Sequence, residues 1–445
     1  MIFFHYLRRR RWPTVFGYLL FVGMMAVGYY YNVTFVQLGL IDLGERLVGL
    51  GQARVAQSMA VLALVACIVA LATGALLQRR PDLRRLRMRL QITFFVILVQ
   101  TLLTLITPLV RTEAAFTLWI LAASVTLGVG MPVTFSLTVD LIPSRDRGYV
   151  AAIITAIAYF AAAAAPSNWH IEDFRAPLLL LMVPAVPVLG WLALGRPRNP
   201  RLALVDALSR QHQHPAFAYG RFVQYGDRVS RGDRSLIGLL VLMFGIYFVD
   251  SLGFLRIIAT PSYVDAAWRS PDLAPHLFIA VVHVVSALVA GVLYTSLSRR
   301  HLFFWVLGIF ALVHLMYTFP FSFGNGGQLA MPMLYAIAVS LYTVLNFALW
   351  ADLSTPDTIG RNAALGVALS AWTATFISTA LATQWRLSGM LAARHLRWVD
   401  AVALLFFIAL LILPFLPRRG PLRSTVRTDA FGNPPAQKQP YGDNL

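Results

Sequence analysis

The chain has 445 residues, 58% of them hydrophobic and 13% charged, with a mean hydropathy of +0.68 and a formal net charge of +18. Soluble domains carry about 25% charged residues, so a long chain this poor in charge is excluded from that class. About twelve spans of ~20 residues would occupy roughly 240 positions and leave only short loops, which excludes a large soluble domain as well. Cys67, the single cysteine, lies in an apolar run, so a disulfide framework and a cysteine-based metal site are also ruled out.

Arg8 to Arg11 precede a first apolar run over 13–40. That charge layout is shared with signal peptides, but the run exceeds an h-region and no small-residue cleavage site stands out, so it reads as an uncleaved first helix. Further runs fall at 55–78, 90–110, 114–139, 149–168 and 175–195, completing six helices within 1–195. After a polar linker, 196–234, six more follow at 235–259, 274–297, 301–320, 329–352, 362–384 and 399–416, within 235–417. The expected fold is an all-α integral membrane protein with twelve transmembrane helices in two pseudo-symmetric six-helix bundles. Within the linker, Leu202, Val205 and Leu208 are spaced for a short helix lying on the membrane, with a flexible linker as the alternative. The tail, 418–445, is too poor in apolar groups to fold alone and is expected to be disordered.

Alternating the loops across a membrane places Arg8 to Arg11, Arg79, Arg80, Arg84, Arg85, Arg87, Arg89, Arg145, Arg147, the linker, Arg299, Arg300, Arg361 and the tail on one side. The arginine bias makes that side cytoplasmic, with both termini there. Excess positive charge at an inner headgroup surface accounts for the basic total without nucleic acid. Short loops and the absence of an organelle-targeting peptide suit a bacterial inner membrane.

The two halves repeat. Gly28 and Tyr30 recur 217 positions on as Gly245 and Tyr247, and Gly74-Ala75-Leu76 as Gly291-Val292-Leu293. Asp140-Leu141, Pro143 and Arg147 recur as Asp352-Leu353, Pro356 and Arg361, at offsets of 212, 213 and 214. An ordered series in register marks a duplicated architecture. At these residues the sequence resembles the major facilitator superfamily, from the first helix to the twelfth. That family's G-x-L-x-D-R-x-G-R-R loop between helices 2 and 3 is matched by Gly74-Ala75-Leu76-Leu77-Gln78-Arg79-Arg80, and its degenerate copy by Gly291 to Arg300. Gln78 and Thr295 replace the loop aspartate in the two copies. The Asp-x-x-Pro-x-x-x-Arg-Gly run from Asp140 to Gly148 is the better match.

Asp140 and Asp352 sit at cytoplasmic helix ends, where a carboxylate is poorly placed against the negative end of the dipole unless a cation is near. Arg79, Arg80 and Arg84 are candidate partners for Asp140, and Arg299 and Arg300 for Asp352. Pairs made when the inner face is closed and broken when it opens would act as a gate, with Arg147 and Arg361 beside them; solvated interfacial ion pairs are the plainer alternative.

The resemblance implies a solute site near the midplane, between the repeats. On the first helix Tyr30, Thr34 and Gln37 fall on one α-helical stripe, and the repeat maps them to Tyr247, Ser251 and Phe254. Tyr342 and Asn346, four apart on the tenth helix, could complete such a cavity. Helix packing, with hydroxyls bonded back to the backbone, is the competing reading for all of these. Asp250 lies about 14 residues, or about 21 Å, from the inner end of its helix and so within the hydrocarbon. An aspartate there costs ~2.5 to 3.5 kcal/mol on insertion scales, which favours a watery cavity, a partner or protonation. It is a candidate for binding a cation or amine or carrying a coupling proton; a structural hydrogen bond is the alternative. His276, His283 and His314 read as neutral histidines bonded in the bundle, with proton handling as the alternative, since no H-E-x-x-H or third ligand makes a metal site.

The drug/proton antiporter signatures of the family, an embedded arginine on helix 4 and a glycine-rich helix 5, are missing; Ala161 to Ala165 is an alanine-rich echo. No G-x-x-x-x-G-K-[ST] links the chain to ATP, and Gly324 to Gly327 reads as an external turn. The expected function is secondary transport of a small solute by alternating access, with protons as the candidate coupling ion. No cofactor, enzymatic activity or nucleic-acid partner is expected, and a monomer in the lipid bilayer is. A transporter-like receptor or scaffold is the second reading.

Overall fold

The computed structural model describes residues 3–164, 169–194, 200–211, 215–218, 220–222, 234–264, 267–296, 299–319 and 329–412 and is helical almost throughout. Twelve helices carry the apolar runs: α1 Trp12–Leu47, α2 Gln52–Arg79, α3 Leu86–Leu109, α4 Glu113–Leu141, α5 Arg147–Ala163 and α6 Ile171–Leu194 in the first half of the sequence. In the second half they are α7 Arg234–Ile258, α8 Leu273–Ser296, α9 Arg299–Thr318, α10 Ala330–Asp352, α11 Ile359–Leu387 and α12 Ala392–Ile412. Eleven are long and apolar enough to cross a membrane, and α5 is a shorter apolar helix. Met1–Phe407 forms one compact unit; a second begins at Ile408, and only its first residues, to Ile412, are described. The tail at 418–445 and the turn at Gly324 to Gly327 lie outside the described residues.

The first helix runs further than its apolar stretch. Asp42 and Arg46 look like loop residues, yet they stay helical because Arg46 pairs with Asp42 at 2.7 Å one turn away, and the Asp42 carboxylate accepts the Ile171 N–H at 2.8 Å. A carboxylate at the first turn of α6 suits the positive end of that helix dipole. Before Asp42 α1 widens into π-helical turns over Tyr31–Gly39, and α11 does so over Ala364–Trp372. Pro132 in α4 and Pro177, Pro184 and Pro187 in α6 are accommodated in continuous helices, as neighbouring groups allow within a membrane bundle.

Burial sorts the helices. In the most apolar window of α10, 83% of residues are buried, against 28% in α6 and α12, so α10 is central and the other two peripheral. Leu180 and Leu181 on α6 and Leu404 and Leu405 on α12 are exposed, as a lipid-facing surface requires.

The helix expected around 202–210 exists as Pro200–Gln211, but it packs on protein rather than only against headgroups. Val205 and Leu208 are buried, Leu208 lies against Gly17 of α1, and Gln211 Nε2 donates to Thr14 Oγ1 at 2.8 Å. The side chain of Leu202 is outside the description.

Helices from opposite halves of the sequence pack on one another, among them α2 on α11 and α5 on α8. A Cβ on Gly74 would fall 2.6 Å from Ala364 Cβ, and one on Gly291 2.7 Å from Ala152 Cβ and 3.0 Å from the Gly148 carbonyl. The same holds from the other side, where a Cβ on Gly360 would lie 2.8 Å from Leu77 and one on Gly148 2.7 Å from Tyr294. Gly74 and Gly291 are repeat equivalents, so the internal duplication of the sequence becomes two like crossings in the fold. Only a missing side chain permits such an approach.

Candidate functional site

A cavity of about 550 Å³ lies among the helices, its walls drawn from both halves of the sequence. Tyr29, Asn32 and Gln37 of α1 face it, as do Tyr159 of α5, Tyr247, Asp250 and Ser251 of α7, His276 and His283 of α8, Tyr335, Tyr342 and Asn346 of α10, and Trp372 and Thr375 of α11.

Among the described residues Asp250 is the only carboxylate on these walls, and no lysine or arginine shares them. Tyr342 donates its hydroxyl to Asp250 Oδ2 at 2.5 Å, and Tyr335 donates to Oδ1. Two O–H donors on one carboxylate fix its orientation. No ion pair to Asp250 exists among the described residues. Aromatic rings close around it: Tyr247 packs edge-on to Tyr342 with centroids 5.3 Å apart, and Tyr335 lies 5.9 Å from Phe254 and 5.8 Å from Trp268. Beside this cluster Ser251 Oγ lies 3.3 Å from Thr375 Oγ1 on α11.

A second polar node ties the halves together. The hydroxyls of Tyr29 and Tyr159 are 2.6 Å apart, and Thr343 Oγ1 of α10 lies 3.2 Å from the first and 3.1 Å from the second. The Tyr159 ring stacks on His283 at 4.5 Å, and His283 Nδ1 meets Ser340 Oγ at 2.9 Å. His276 directs both ring nitrogens to carbonyl oxygens, Ala163 at 3.1 Å and Ser270 at 2.9 Å. His314 is buried against the Phe310 carbonyl at 2.8 Å.

Of the stripe expected on α1, only Gln37 lines the cavity. Tyr30 and Thr34 are buried in the packing of the first six helices, and Thr34 Oγ1 donates back to the Tyr30 carbonyl at 2.7 Å. The reason is the π-helical stretch: its i→i+5 bonds widen the turn, so the i, i+4, i+7 spacing of an α-helix no longer keeps one face. Tyr29 takes the place expected of Tyr30. Tyr247, Ser251, Tyr342 and Asn346 all reach the cavity, Asn346 with its Oδ1 also accepting from Trp350 Nε1 at 2.9 Å. Tyr335, Tyr159, Thr343 and Thr375 were not singled out from sequence. Tyr335 was within reach of the pattern, since it stands seven residues before Tyr342 and hence on the same face.

At the end of the bundle that carries the α2–α3, α4–α5 and α10–α11 loops, the charged residues pair differently from expectation. Asp140 pairs not with Arg79, Arg80 or Arg84 but with Arg89 of α3, both nearly fully buried. Arg89 reaches inward because it is one turn into α3, whereas Arg79 and Arg80 end α2 at the exposed surface. Arg84 instead pairs with Asp357 of the α10–α11 loop. Asp352 pairs with Arg147, Nη1 to Oδ1 at 3.2 Å, and accepts from Tyr294 at 2.9 Å; the side chains of Arg299 and Arg300 lie outside the description. Arg361 bonds Asn362 Oδ1 at 3.0 Å through Nη2.

Described residues of the chain between the halves bond to this end. Arg147 Nη2 donates to the Phe217 carbonyl at 2.7 Å, Ser144 N–H to Ala216 at 2.8 Å, Gly220 N–H to Ser354 at 3.0 Å and Phe222 N–H to Asp352 at 3.0 Å. Arg221 covers the Tyr294 ring at 5.4 Å and donates to the Tyr294 and Thr295 carbonyls. A short strap therefore bonds the α4–α5 loop, the end of α8 and the end of α10 together. The opposite end is bridged by Arg386 Nη1 to Gln52 Oε1 at 2.9 Å, an exposed contact, and by His276 to Ala163. There, too, Asp42, His170 and Glu172 cluster, with Arg46 engaged by both carboxylates.

Comparison with known proteins adds to this geometry. The Major Facilitator Superfamily family model matches residues 2–166. No curated protein matches the sequence. Among solved structures, the proton:xylose symporter XylE bound to 6-bromo-6-deoxy-D-glucose shares the fold with a TM-score of 0.59 at 14% identity, over 91% of this chain and 96% of that one. The human organic anion transporter MFSD10 (TETRAN) does so with a TM-score of 0.57 at 16% identity, over 90% of this chain and 99% of that one. The chain is thus similar to the major facilitator superfamily over its first helices and shares the fold of these two transporters along nearly its whole length.

Proposed function

We propose that the protein couples movement of a small solute to protons, with Asp250 as the group that carries the proton and the cavity around it as the solute site. The observation that carries this reading is a single carboxylate held by two tyrosines on the wall of a cavity between the halves, with no cationic partner among the described residues. A carboxylate at that depth is costly unless its charge is exchanged or balanced during the cycle. The titratable groups on the same cavity walls are Tyr247 on its own helix, Tyr29 and Tyr31 of α1, Tyr159 of α5, His276 and His283 of α8, and Tyr335 and Tyr342 of α10.

Alternating access then follows from the repeat. The halves 1–195 and 235–417 rock about the Asp250 cavity, joined by the linker 196–234. The Arg147–Asp352 pair and the strap from Ala216 to Phe222 close one end, and Arg84–Asp357 adds an exposed pair there. That end bears most of the arginines and is assigned to the cytoplasm of a bacterial inner membrane, with both termini. The protein works as a monomer and leaves its solute chemically unchanged.

The test is reconstitution in liposomes with an inside-acid pH gradient, a panel of solutes and a record of internal pH, for the wild type and Asp250→Asn. Solute-dependent proton movement lost in the variant is the expected result. Labelled solute crossing with no proton movement would remove the coupling and leave transport standing.

A further inference from the structure

The charge inventory of the cavity points to what it takes. Among the described wall residues Asp250 is the sole aspartate, glutamate, lysine or arginine; the remaining polar groups are hydroxyls, amides and two imidazoles, His276 with both nitrogens at carbonyl oxygens and His283 with Nδ1 at Ser340 Oγ. Each Asp250 oxygen accepts one tyrosine hydroxyl and keeps lone-pair capacity for a further donor. Two groups of rings line the cavity beside it, Tyr247 with Tyr342 at 5.3 Å and Phe254, Trp268 and Tyr335 at 5.8 to 6.3 Å from one another, each group tied to Asp250 by one tyrosine hydroxyl. Such faces attract an ammonium or other organic cation, the more so where water is excluded. An anion brought to the same place would meet Asp250 with no lysine or arginine on the wall to offset the repulsion.

From this the geometry points to a monovalent organic cation with an apolar or aromatic body as the solute, its charge on Asp250 and its body against the aromatic rings and the apolar α3–α6 side of the cavity. The inference rests on the same cavity being the transport site, and it deepens that reading by naming the solute class. It also separates this chain from an anion carrier of the same fold: one fixed negative charge and no fixed positive one decide the sign.

Binding is tested on the full-length protein in nanodiscs with four probes: tetraphenylphosphonium and benzyltrimethylammonium as cations, triphenylphosphine oxide as a neutral relative, and tetraphenylborate as an anion. Saturable binding of at least one cation is expected, weakened at least tenfold in Asp250→Asn and kept within a few-fold in Asp250→Glu, which retains the charge. Thermal midpoints of the two variants identify any that fail to fold, and Phe254→Ala, which trims a ring without touching the carboxylate, is expected to weaken the cation severalfold on its own. Binding of neither cation, equal binding of the phosphine oxide or borate, or cation binding unchanged in Asp250→Asn would overturn the proposal. A neutral solute driven by the pH gradient while neither cation binds would overturn the solute class and leave proton-coupled transport intact. A cation that binds as expected but is not moved by the gradient supports the class and removes the coupling.

Discussion

Arg147 and Asp352, 205 positions apart, form an ion pair in which both side chains are almost entirely buried, at the join between α5 and the end of α10. The guanidinium also holds the Ala351 and Phe217 carbonyls, so one side chain ties α5, α10 and the strap. Breaking a buried pair from one side leaves an uncompensated charge and costs about 3–5 kcal/mol. Arg147→Ala is therefore expected to lower the thermal midpoint and to speed labelling, from the basic end, of a cysteine placed at Phe347 in a Cys67→Ser background. The exchange Arg147→Asp with Asp352→Arg is expected to recover part of both. Labelling that does not change would remove the gate.

Gly220 of the strap has no room for a side chain, because a Cβ there would lie within bonding range of the Asp352 backbone. Gly220→Ala must lift the strap off α10 and is expected to shift the equilibrium toward an open basic end while leaving the cavity walls intact. Faster thiol labelling at Phe347→Cys with unchanged binding of solute is the outcome to look for.

Gly74→Ala brings a methyl group to 2.6 Å from Ala364 Cβ and must part α2 from α11. Closer packing than this is unavailable, so the variant is expected to lose the closed basic end, and Gly291→Ala, at the repeat-equivalent crossing, to do the same. Transport rates severalfold below wild type, with both variants still folded, would show that the two crossings act alike. A loss at one site alone would show that they do not.

Tyr342→Phe removes one of two hydroxyl donors to Asp250 and keeps the ring. A hydrogen bond to a charged group contributes about 1.5–3 kcal/mol, so half-saturation for solute is expected to rise about tenfold or more. Tyr29→Phe, which breaks the Tyr29–Tyr159–Thr343 node, is expected to change the transport rate more than the half-saturation, because that node joins the halves.

Thr34→Val serves as the contrast. Its hydroxyl is spent on the Tyr30 carbonyl and does not reach the cavity, so transport is expected to match wild type and stability to shift by less than about 1 kcal/mol. A raised half-saturation in this variant would mean that α1 turns during the cycle and brings its other face inward.

The all-helical membrane class, the number of spans and the duplication were legible in the amino-acid order, because each depends on local quantities: length and apolarity of a run, and the spacing of Gly74, Asp140 and Arg147 against Gly291, Asp352 and Arg361. Asp250 was legible for the same reason, since an ionisable residue deep in an apolar run is costly whatever surrounds it. What only the tertiary structure decided is who meets whom. Arg89 rather than Arg79 reaches Asp140, and Arg147 crosses the repeat to Asp352, because inward reach depends on helix packing and not on proximity in the loop. Gln37 lines the cavity while Tyr30 and Thr34 are buried in packing, because π-helical turns over Tyr31–Gly39 break the common face that an α-helical spacing rule assumes.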